Sequence, residues 1–166
     1  MARRVARGHD AGMGDAAAAL TVSPLMEADR DRWTELWRAY LAFYDKVLPD
    51  STYDQTWARL LADQDLHGLA ARDAAGVVGI THFLFHAHCW TPAPSCYLQD
   101  LYVHAAARGL GAGRALIEAV GVRARDAGAD RMYWMTNATN ATARSLYDRV
   151  ATHRGFIKYE YAVPAM

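Results

Sequence analysis

The segment CYLQDLYVHAAARGLGAGR, residues 96–114, runs from a strand pattern into a glycine-rich turn. Its first eight residues alternate and are rich in aromatic and β-branched side chains, which favours a β-strand. The sequence that follows, ALIEAVGVRARDAG, has the apolar spacing of an amphipathic helix. Because Gly109, Gly111 and Gly113 lack side chains, backbone N–H groups can converge on a phosphate at the positive end of this helix. The segment therefore predicts an anion-binding turn between a strand and a helix.

Two familiar phosphate-binding loops do not fit this turn. A Walker loop ends in Gly-Lys-Ser/Thr, but here Gly113 is followed by Arg114 and Ala115. A Rossmann fingerprint needs a glycine where Arg114 stands and a carboxylate about twenty residues further on. Asp126 and Asp130 lie at a suitable distance, but the glycine spacing is wrong.

The turn Arg108-Gly109-Leu110-Gly111-Ala112-Gly113 resembles the Q/R-x-x-G-x-G/A motif of the GCN5-related N-acetyltransferases, the GNAT superfamily. A second stretch, NATARSLY at residues 140–147, resembles the N-x-x-A-x-x-x-Y helix of the same superfamily. The closing Arg154-Gly155-Phe156 is similar to its R/G-G-F motif. The resemblance covers residues 77–163 and extends more loosely to the helices before them. The segments YLQDLYV and YDRVATHRGFIKYE are similar to the branch that contains histone- and polyamine-acetylating enzymes.

This resemblance implies acetyl-CoA as the cosubstrate. In the family the glycine turn binds phosphates, the central strand offers backbone N–H groups to pantetheine and the thioester oxygen, and the asparagine of the second motif contacts pantetheine. The corresponding candidates for acetyl-CoA binding are Leu101, Val103, Arg108, Gly109, Gly111, Ala112, Gly113, Arg114 and Asn140.

Asp100 is the most informative charge in the chain, because a carboxylate in an apolar strand is costly unless it is paired or used. Strict alternation predicts that it shares a strand face with Leu98 and Tyr102. Related polyamine acetyltransferases have Glu-Asp where this chain has Gln99-Asp100, and Gln99 cannot accept a proton at neutral pH. Asp100 is thus a candidate to bind the amine or to act as base, directly or through water. A structural role against the neighbouring backbone is the alternative, and Gln99 is a candidate substrate contact.

Tyr147 matches the phenol that protonates or stabilises the departing CoA thiolate in this family. Its spacing with Ala143, Leu146 and Val150 would equally suit the buried stripe of a helix. Since the family transfers the acetyl group directly, Cys96 is predicted to be a buried, inert thiol.

The predicted helix over residues 28–47 carries aromatic residues at helical spacing, most of which should pack against the sheet. The corresponding family helix borders the acceptor site, so Phe43 and Tyr44 are candidates for a wall that holds a cationic amine. His82 shares a strand face with His86 and His88, but residues two apart do not converge as a tetrahedral metal site requires, and no metal is predicted. His82 is instead a candidate to face the substrate, with a half-exposed strand surface as the alternative.

The composition indicates one globular domain of 166 residues with 52% hydrophobic residues and a formal charge of zero. A neutral chain is atypical of nucleic-acid or membrane-surface binders. Two cysteines without a CxxC pair suggest a reducing, cytoplasmic location. Residues 1–18 are predicted to be a disordered extension of a domain over 19–166, although a start at Met13 or a transit-like leader would look the same.

The predicted order is β-α-α-β-β-β-α-β-α-β, an α/β (α+β) domain with a mixed, largely antiparallel sheet flanked by helices. Its last strand spans 156–163, and Tyr159, Tyr161 and Val163 on that edge predict a homodimer. The predicted activity is direct transfer of acetyl, in a ternary complex, to a primary amine of a polyamine-like or amino-acid-like small molecule. The alternatives are a peptide lysine acceptor and a catalytically silent acetyl-CoA sensor.

Overall fold

The computed structural model of the protein describes residues 20–164, so the predicted extension over residues 1–18 lies outside the described part. Within residues 20–164, no helix is both long and apolar enough to span a membrane. The strands are β1 (Thr21–Pro24), β2 (His67–Asp73), β3 (Gly76–His88), β4 (Thr91–Val103) and β5 (Arg131–Tyr133). The helices are α1 (Arg30–Phe43), α2 (Asp50–Ala62), α3 (Ala112–Asp126) and α4 (Ala141–Val150).

The strands form one sheet in the order β1-β2-β3-β4-β5. All neighbouring pairs are antiparallel except β4 and β5, which are parallel. The predicted mixed, largely antiparallel α/β architecture is therefore confirmed. The β2–β3 hairpin turns at Gly76, whose φ of 111° is a conformation that side-chain-bearing residues rarely adopt.

Each face of the sheet carries its own hydrophobic core. On one face, Trp33 of α1 and Trp57 of α2 pack with Ile80 of β3. On the other face, Leu116 of α3 packs with Phe83. Because β3 and β4 lie between these layers, their side chains reach either core according to strand position.

A bulge at Gln99 resets the alternation of β4. His82 of β3 is opposite Asp100, but the next residue of β3 is opposite Leu98, which leaves Gln99 as the extra residue. Leu98 lies in the core beneath α3, whereas Asp100 faces α1. The predicted common face of Leu98 and Asp100 is therefore wrong, because one inserted residue moves every later side chain to the opposite face.

A proline precedes α2. The helix begins at Asp50, and its N-cap is Pro49 with extended φ and ψ of −63° and 151°. The fixed φ of proline suits this extended cap conformation, and its side chain makes no capping hydrogen bond. Residues 91–94 belong to β4 because the strand pairs back onto the end of β3.

Residues 152–164 form no strand, so the predicted final strand over 156–163 is wrong for this chain by itself. The side chains of Phe156, Tyr159 and Tyr161 are 85–86% exposed. An alternating sequence becomes a strand only when a neighbour supplies ladder hydrogen bonds, and within residues 20–164 no strand lies beside this segment.

Candidate active site

The sheet opens between β4 and β5. These strands pair only where residues 95–97 meet Arg131–Tyr133, although β4 continues to Val103. Beyond Tyr97, the edge of β4 that faces β5 has no strand partner within residues 20–164. Alternate residues of this edge direct backbone N–H and C=O groups away from β3, where a ligand can bind them.

A crevice of about 20 Å³ lies at this opening. It brings together the diverging strands, the end of α1 and the middle of α4. Its lining residues are Tyr40, Tyr44, Leu98, Gln99, Leu101, Trp134, Met135 and Tyr147. The crevice thus joins side chains from four separate parts of the chain.

Asp100 borders this region as a buried carboxylate, 7% exposed, held by side chains from α1 and β3. Trp37 Nε1 donates to Asp100 Oδ2 at 3.2 Å, and His82 Nδ1 lies 2.9 Å from the same oxygen. Behind the imidazole, Trp33 Nε1 donates to His82 Nε2 at 2.8 Å. Burial and the nearby Asp100 carboxylate raise the pKa of Tyr40 well above its usual value. These hydrogen bonds offset the cost of burying the acid, and its carboxylate contacts side chains rather than neighbouring backbone.

Tyr147 projects from the half-buried stripe of α4 into the crevice. Its ring lies edge-on to Trp134, with 5.3 Å between ring centroids. Burial raises the pKa of Tyr147 to about 12, so the phenol keeps its proton at neutral pH and can donate a hydrogen bond. The stripe itself, Ala143, Leu146, Tyr147 and Val150, is half-buried as its spacing predicts.

The glycine turn lies between β4 and α3. Gly111 is the N-cap of α3 with φ of 90°, a left-handed conformation that glycine adopts without strain. The first helical hydrogen bond runs from the Ala115 N–H to the Gly111 carbonyl, so the N–H groups of residues 112–114 have no helical acceptor. The first turn contains no acidic residue. Ala112 is itself buried, and Gly109 has φ of 81°, so the turn presents backbone and a positive helix end to an anion.

Gly113 has a different role from the other two glycines. A Cβ atom there would lie 3.2 Å from Leu146 Cδ2, so its absence lets α3 approach α4. The Arg108 side chain is exposed and donates from Nε to the Val103 carbonyl at 3.2 Å, which ties the turn to the end of β4. Arg114 is also exposed and pairs with a glutamate one helical turn later at 2.8 Å.

Only some of the remaining predicted site residues line the crevice. Tyr44, Gln99 and Tyr147 line one crevice. Phe43 is the last residue of α1 and is 62% exposed outside that lining. His82, only 1% exposed, lies behind Asp100 and does not line the crevice.

Four residues that line the crevice were not among the predicted site residues: Tyr40, Leu98, Trp134 and Met135. Tyr40 precedes Tyr44 by one helical turn, and this spacing was the available signal for it. Trp134 and Met135 follow β5 directly, and only the opening of the sheet reveals their position.

Asn140 is the N-cap of α4, and its Oδ1 accepts a hydrogen bond from the Ala143 N–H at 3.2 Å. This cap fixes where the tyrosine-bearing helix begins. The Asn140 amide donates to Thr136 Oγ1 at 3.4 Å, which links the helix to the segment after β5.

The histidines and Cys96 show no metal or nucleophile geometry. His86 contacts the Tyr133 hydroxyl and His88 contacts Asp130. Among residues 20–164, no three histidine, cysteine or acidic side chains cluster as metal ligands would. Cys96 is fully buried, and burial raises its pKa to about 11, which keeps it a thiol.

Comparisons with known proteins agree with this geometry. The family described as the acetyltransferase (GNAT) family matches residues 33–151. The D-amino-acid N-acetyltransferase HPA3 of Saccharomyces cerevisiae is 33% identical over 144 residues, which cover 85% of this chain and 89% of that protein.

Solved structures show the same fold. The complex of AAC(6')-Iy with the bisubstrate analogue CoA-S-monomethyl-acetylneamine has a TM-score of 0.78 at 15% identity, covering 89% of this chain and 100% of that one. A ribosomal-protein-alanine N-acetyltransferase from Brucella melitensis biovar Abortus 2308 has a TM-score of 0.71 at 23% identity, covering 87% and 100%.

Proposed function

This chain belongs to the GNAT acetyltransferase family and is an N-acetyltransferase, and from that premise we propose that it transfers acetyl from acetyl-CoA directly to the primary amine of a small molecule in a ternary complex. The observation that carries this proposal is the crevice between β4 and β5. It collects Tyr147 from α4, Gln99 from β4 and two tyrosines from α1 beside a buried carboxylate, Asp100.

The proposed acetyl-CoA site uses backbone more than side chains. The phosphates would bind the free N–H groups of residues 112–114 and the turn around Gly109 and Gly111. The open edge of β4, at Leu101 and Val103, would bind the pantetheine arm with backbone hydrogen bonds. Arg108 and Arg114 are exposed cations at the same turn and would add charge-assisted contacts to phosphate.

Asp100 is the proposed acceptor of the substrate proton. A primary amine with a pKa near 10.4 arrives as ammonium at neutral pH and has no lone pair for attack. Asp100 takes the proton directly or through one ordered water, and the freed lone pair attacks the thioester carbonyl carbon. Gln99 lines the crevice and is proposed to hydrogen-bond the substrate, since its amide cannot act as a base at neutral pH.

Tyr147 is proposed to stabilise the leaving group. Attack places negative charge on the carbonyl oxygen, which N–H groups of the open β4 edge would hold, and positive charge on the nitrogen. Collapse then breaks the C–S bond and releases the CoA thiolate, while the extra proton on the nitrogen passes to water. The pKa of Tyr147 is about 12, whereas that of a thiol is about 8.5, so proton transfer from the phenol to the thiolate is uphill. Tyr147 therefore acts by donating a hydrogen bond to sulfur.

An amino-acid-like amine is the acceptor class that we favour. The support is the 33% identity to a protein named as a D-amino-acid N-acetyltransferase. Tyr40 and Tyr44 from α1 would hold the ammonium group by their ring faces before it loses its proton.

The proposal is tested by measuring CoA-thiol release from acetyl-CoA with D- and L-amino acids, polyamines, aminoglycosides and lysine-containing peptides. Acetyl-CoA binding is measured in parallel by thermal shift. We expect acetyl-CoA to raise the melting temperature and one small-molecule class to be acetylated with the highest kcat/KM. Turnover of peptides alone would move the acceptor to protein lysines, binding without turnover would indicate a sensor, and no binding would refute the acetyl-CoA site.

We further propose that the protein is a homodimer formed through residues 156–163. Tyr159, Tyr161 and Val163 alternate as in a strand and are 85–86% exposed. β5 pairs with β4 on one side, and within residues 20–164 its other edge has no partner. If each copy laid this segment along β5 of the other, both would gain the ladder hydrogen bonds and apolar burial that they lack alone.

Sedimentation velocity of the full chain tests the dimer. We expect wild type to sediment as a dimer and the double variant Tyr159→Lys, Tyr161→Lys to sediment as a monomer. Val122→Lys, at a half-exposed apolar position on α3, is the control and should remain dimeric. A monomeric wild type, or a double variant that still dimerises, would contradict the proposed interface.

A further inference from the structure

The hydrogen bonds behind Asp100 determine the tautomer of His82. An indole N–H can only donate, and Trp33 Nε1 lies 2.8 Å from His82 Nε2. The Nε2 atom must therefore accept, and the single ring proton of the neutral imidazole must lie on Nδ1. That atom is 2.9 Å from Asp100 Oδ2, so the imidazole donates to the carboxylate.

We propose that Trp33 is a positioning residue for acetyl transfer, which anchors the His82 imidazole at Nε2 and thereby holds the Asp100 carboxylate ready to receive the substrate proton. The inference rests on the proposed role of Asp100. Trp33 is completely buried and His82 is 1% exposed, so neither touches the substrate. Their effect on the reaction must pass through the carboxylate.

Both donors of the network, Trp37 and His82, reach the same carboxylate oxygen. Trp37 Nε1 donates to Asp100 Oδ2 at 3.2 Å, and His82 donates to the same atom. These two donors fill the two acceptor positions of Oδ2, and neither of them uses the acceptor positions of Oδ1. Tyr40, which lies within electrostatic reach of Asp100, also lines the crevice, so the carboxylate borders the crevice. Oδ1 is the oxygen assigned to receive the proton.

The same geometry prevents His82 from relaying that proton. Its Nδ1 already carries a proton, and its Nε2 lone pair is occupied by the Trp33 N–H. The proton taken by Asp100 therefore returns to water instead of entering the ring. A neutral imidazole also places no positive charge beside an arriving ammonium group.

Nuclear magnetic resonance of imidazole-¹⁵N-labelled full-length protein reads the tautomer directly. We expect His82 to be protonated at Nδ1 in the wild type, with its signal identified by its loss in His82→Asn. In Trp33→Phe the donor to Nε2 is absent, so the Nε2 resonance should shift, while the Asp100 carboxylate, which can only accept, keeps the proton on Nδ1. Trp57→Phe is the matched control, because Trp57 is 8% exposed and its ring lies 4.9 Å from that of Trp33, yet it makes no bond to His82.

Kinetics test whether the hydrogen bond from Trp33 to His82 matters for acetyl transfer. We expect Trp33→Phe to lower kcat/KM for the best amine about tenfold, the factor that corresponds to loss of one hydrogen bond, with KM for acetyl-CoA unchanged. Trp57→Phe should retain the wild-type value. An Nε2–H tautomer in wild-type protein, or equal losses in the two phenylalanine variants, would overturn the inference.

Failure of the inference and failure of the proposed function give different results. If Asp100→Asn acetylates the best amine as fast as wild type, the proposed role of Asp100 is wrong, and the inference that depends on it is wrong as well. If Asp100→Asn is inactive while Trp33→Phe retains full activity or an unchanged Nε2 resonance, only the role of Trp33 is refuted.

Discussion

Replacing Asp100 with asparagine should separate the proton-accepting role from the structural one. Asparagine has nearly the same shape, and its carbonyl oxygen can take the place of Oδ2 as acceptor for Trp37 and His82. Hydrogen bonds to a charged group contribute about 1.5–3 kcal/mol and neutral ones about 0.5–1.5, so the two bonds together lose roughly 2 kcal/mol. The net loss of stability is smaller than this, because the variant no longer incurs the cost of burying a charge. For a chain of this length, roughly 2 kcal/mol corresponds to a decrease in Tm of roughly 4–8 °C, which leaves the protein folded.

The catalytic loss should be far larger than the structural one. With a pKa near 10.4, only about one amine in 2500 is unprotonated at pH 7, and a variant without the carboxylate must rely on that fraction. General-base catalysis typically contributes 10²–10⁴-fold, so we expect kcat/KM for the amine to fall by about 10³. The value for Asp100→Asn should then rise about tenfold per pH unit toward the amine pKa, more steeply than for wild type.

The assay is CoA-thiol release between pH 7 and pH 10, with acetyl-CoA binding measured by thermal shift at each pH. Asp126→Asn, an exposed carboxylate at the end of α3, is the control and should behave as wild type. Activity of Asp100→Asn within about threefold of wild type, or parallel pH profiles, would refute the assignment of Asp100 as proton acceptor.

Two further predictions follow from Tyr147 and Asp29. Tyr147→Phe should lower kcat about tenfold without changing acetyl-CoA affinity, because it removes one hydrogen bond to the thiolate, and equal turnover would contradict the role. Since the pKa of Tyr147 is about 12, no loss of wild-type activity below pH 10 should come from this phenol. Burial alone would raise the pKa of Asp29, but hydrogen bonds from Arg72 at 2.6 and 2.7 Å and from the Met26 N–H lower it overall. The pair therefore stabilises the fold above the unfolded-state pKa of about 4, and this contribution disappears as pH falls through the lowered folded-state value. Urea unfolding at pH 7 and pH 3 should show a smaller difference between wild type and Asp29→Asn in acid, and a constant difference would disprove this assignment.

Local patterns explain why much of the fold could be predicted. The glycine turn and the α4 stripe each depend on residues close in sequence, and both occur as predicted. The bulge at Gln99 could not be predicted, because it depends on how β4 pairs with β3, some 20 residues earlier in the chain. The exposed segment 152–164 has strand-like alternation, but alternation does not supply a pairing partner.

The sequence by itself determined the family resemblance, the strand-turn-helix unit and the choice of Asp100 and Tyr147 as reactive candidates, because these depend on residue type and short spacing. Only the tertiary structure decided what surrounds them. It buries His82 behind Asp100 instead of in the crevice, brings Tyr40 of α1 and Trp134 after β5 to the same opening, and gives the carboxylate its tryptophan donor from α1. Hydrogen bonds of this kind join residues about 20 to 60 positions apart, so chain folding, rather than local pattern, selects which donors meet the acid.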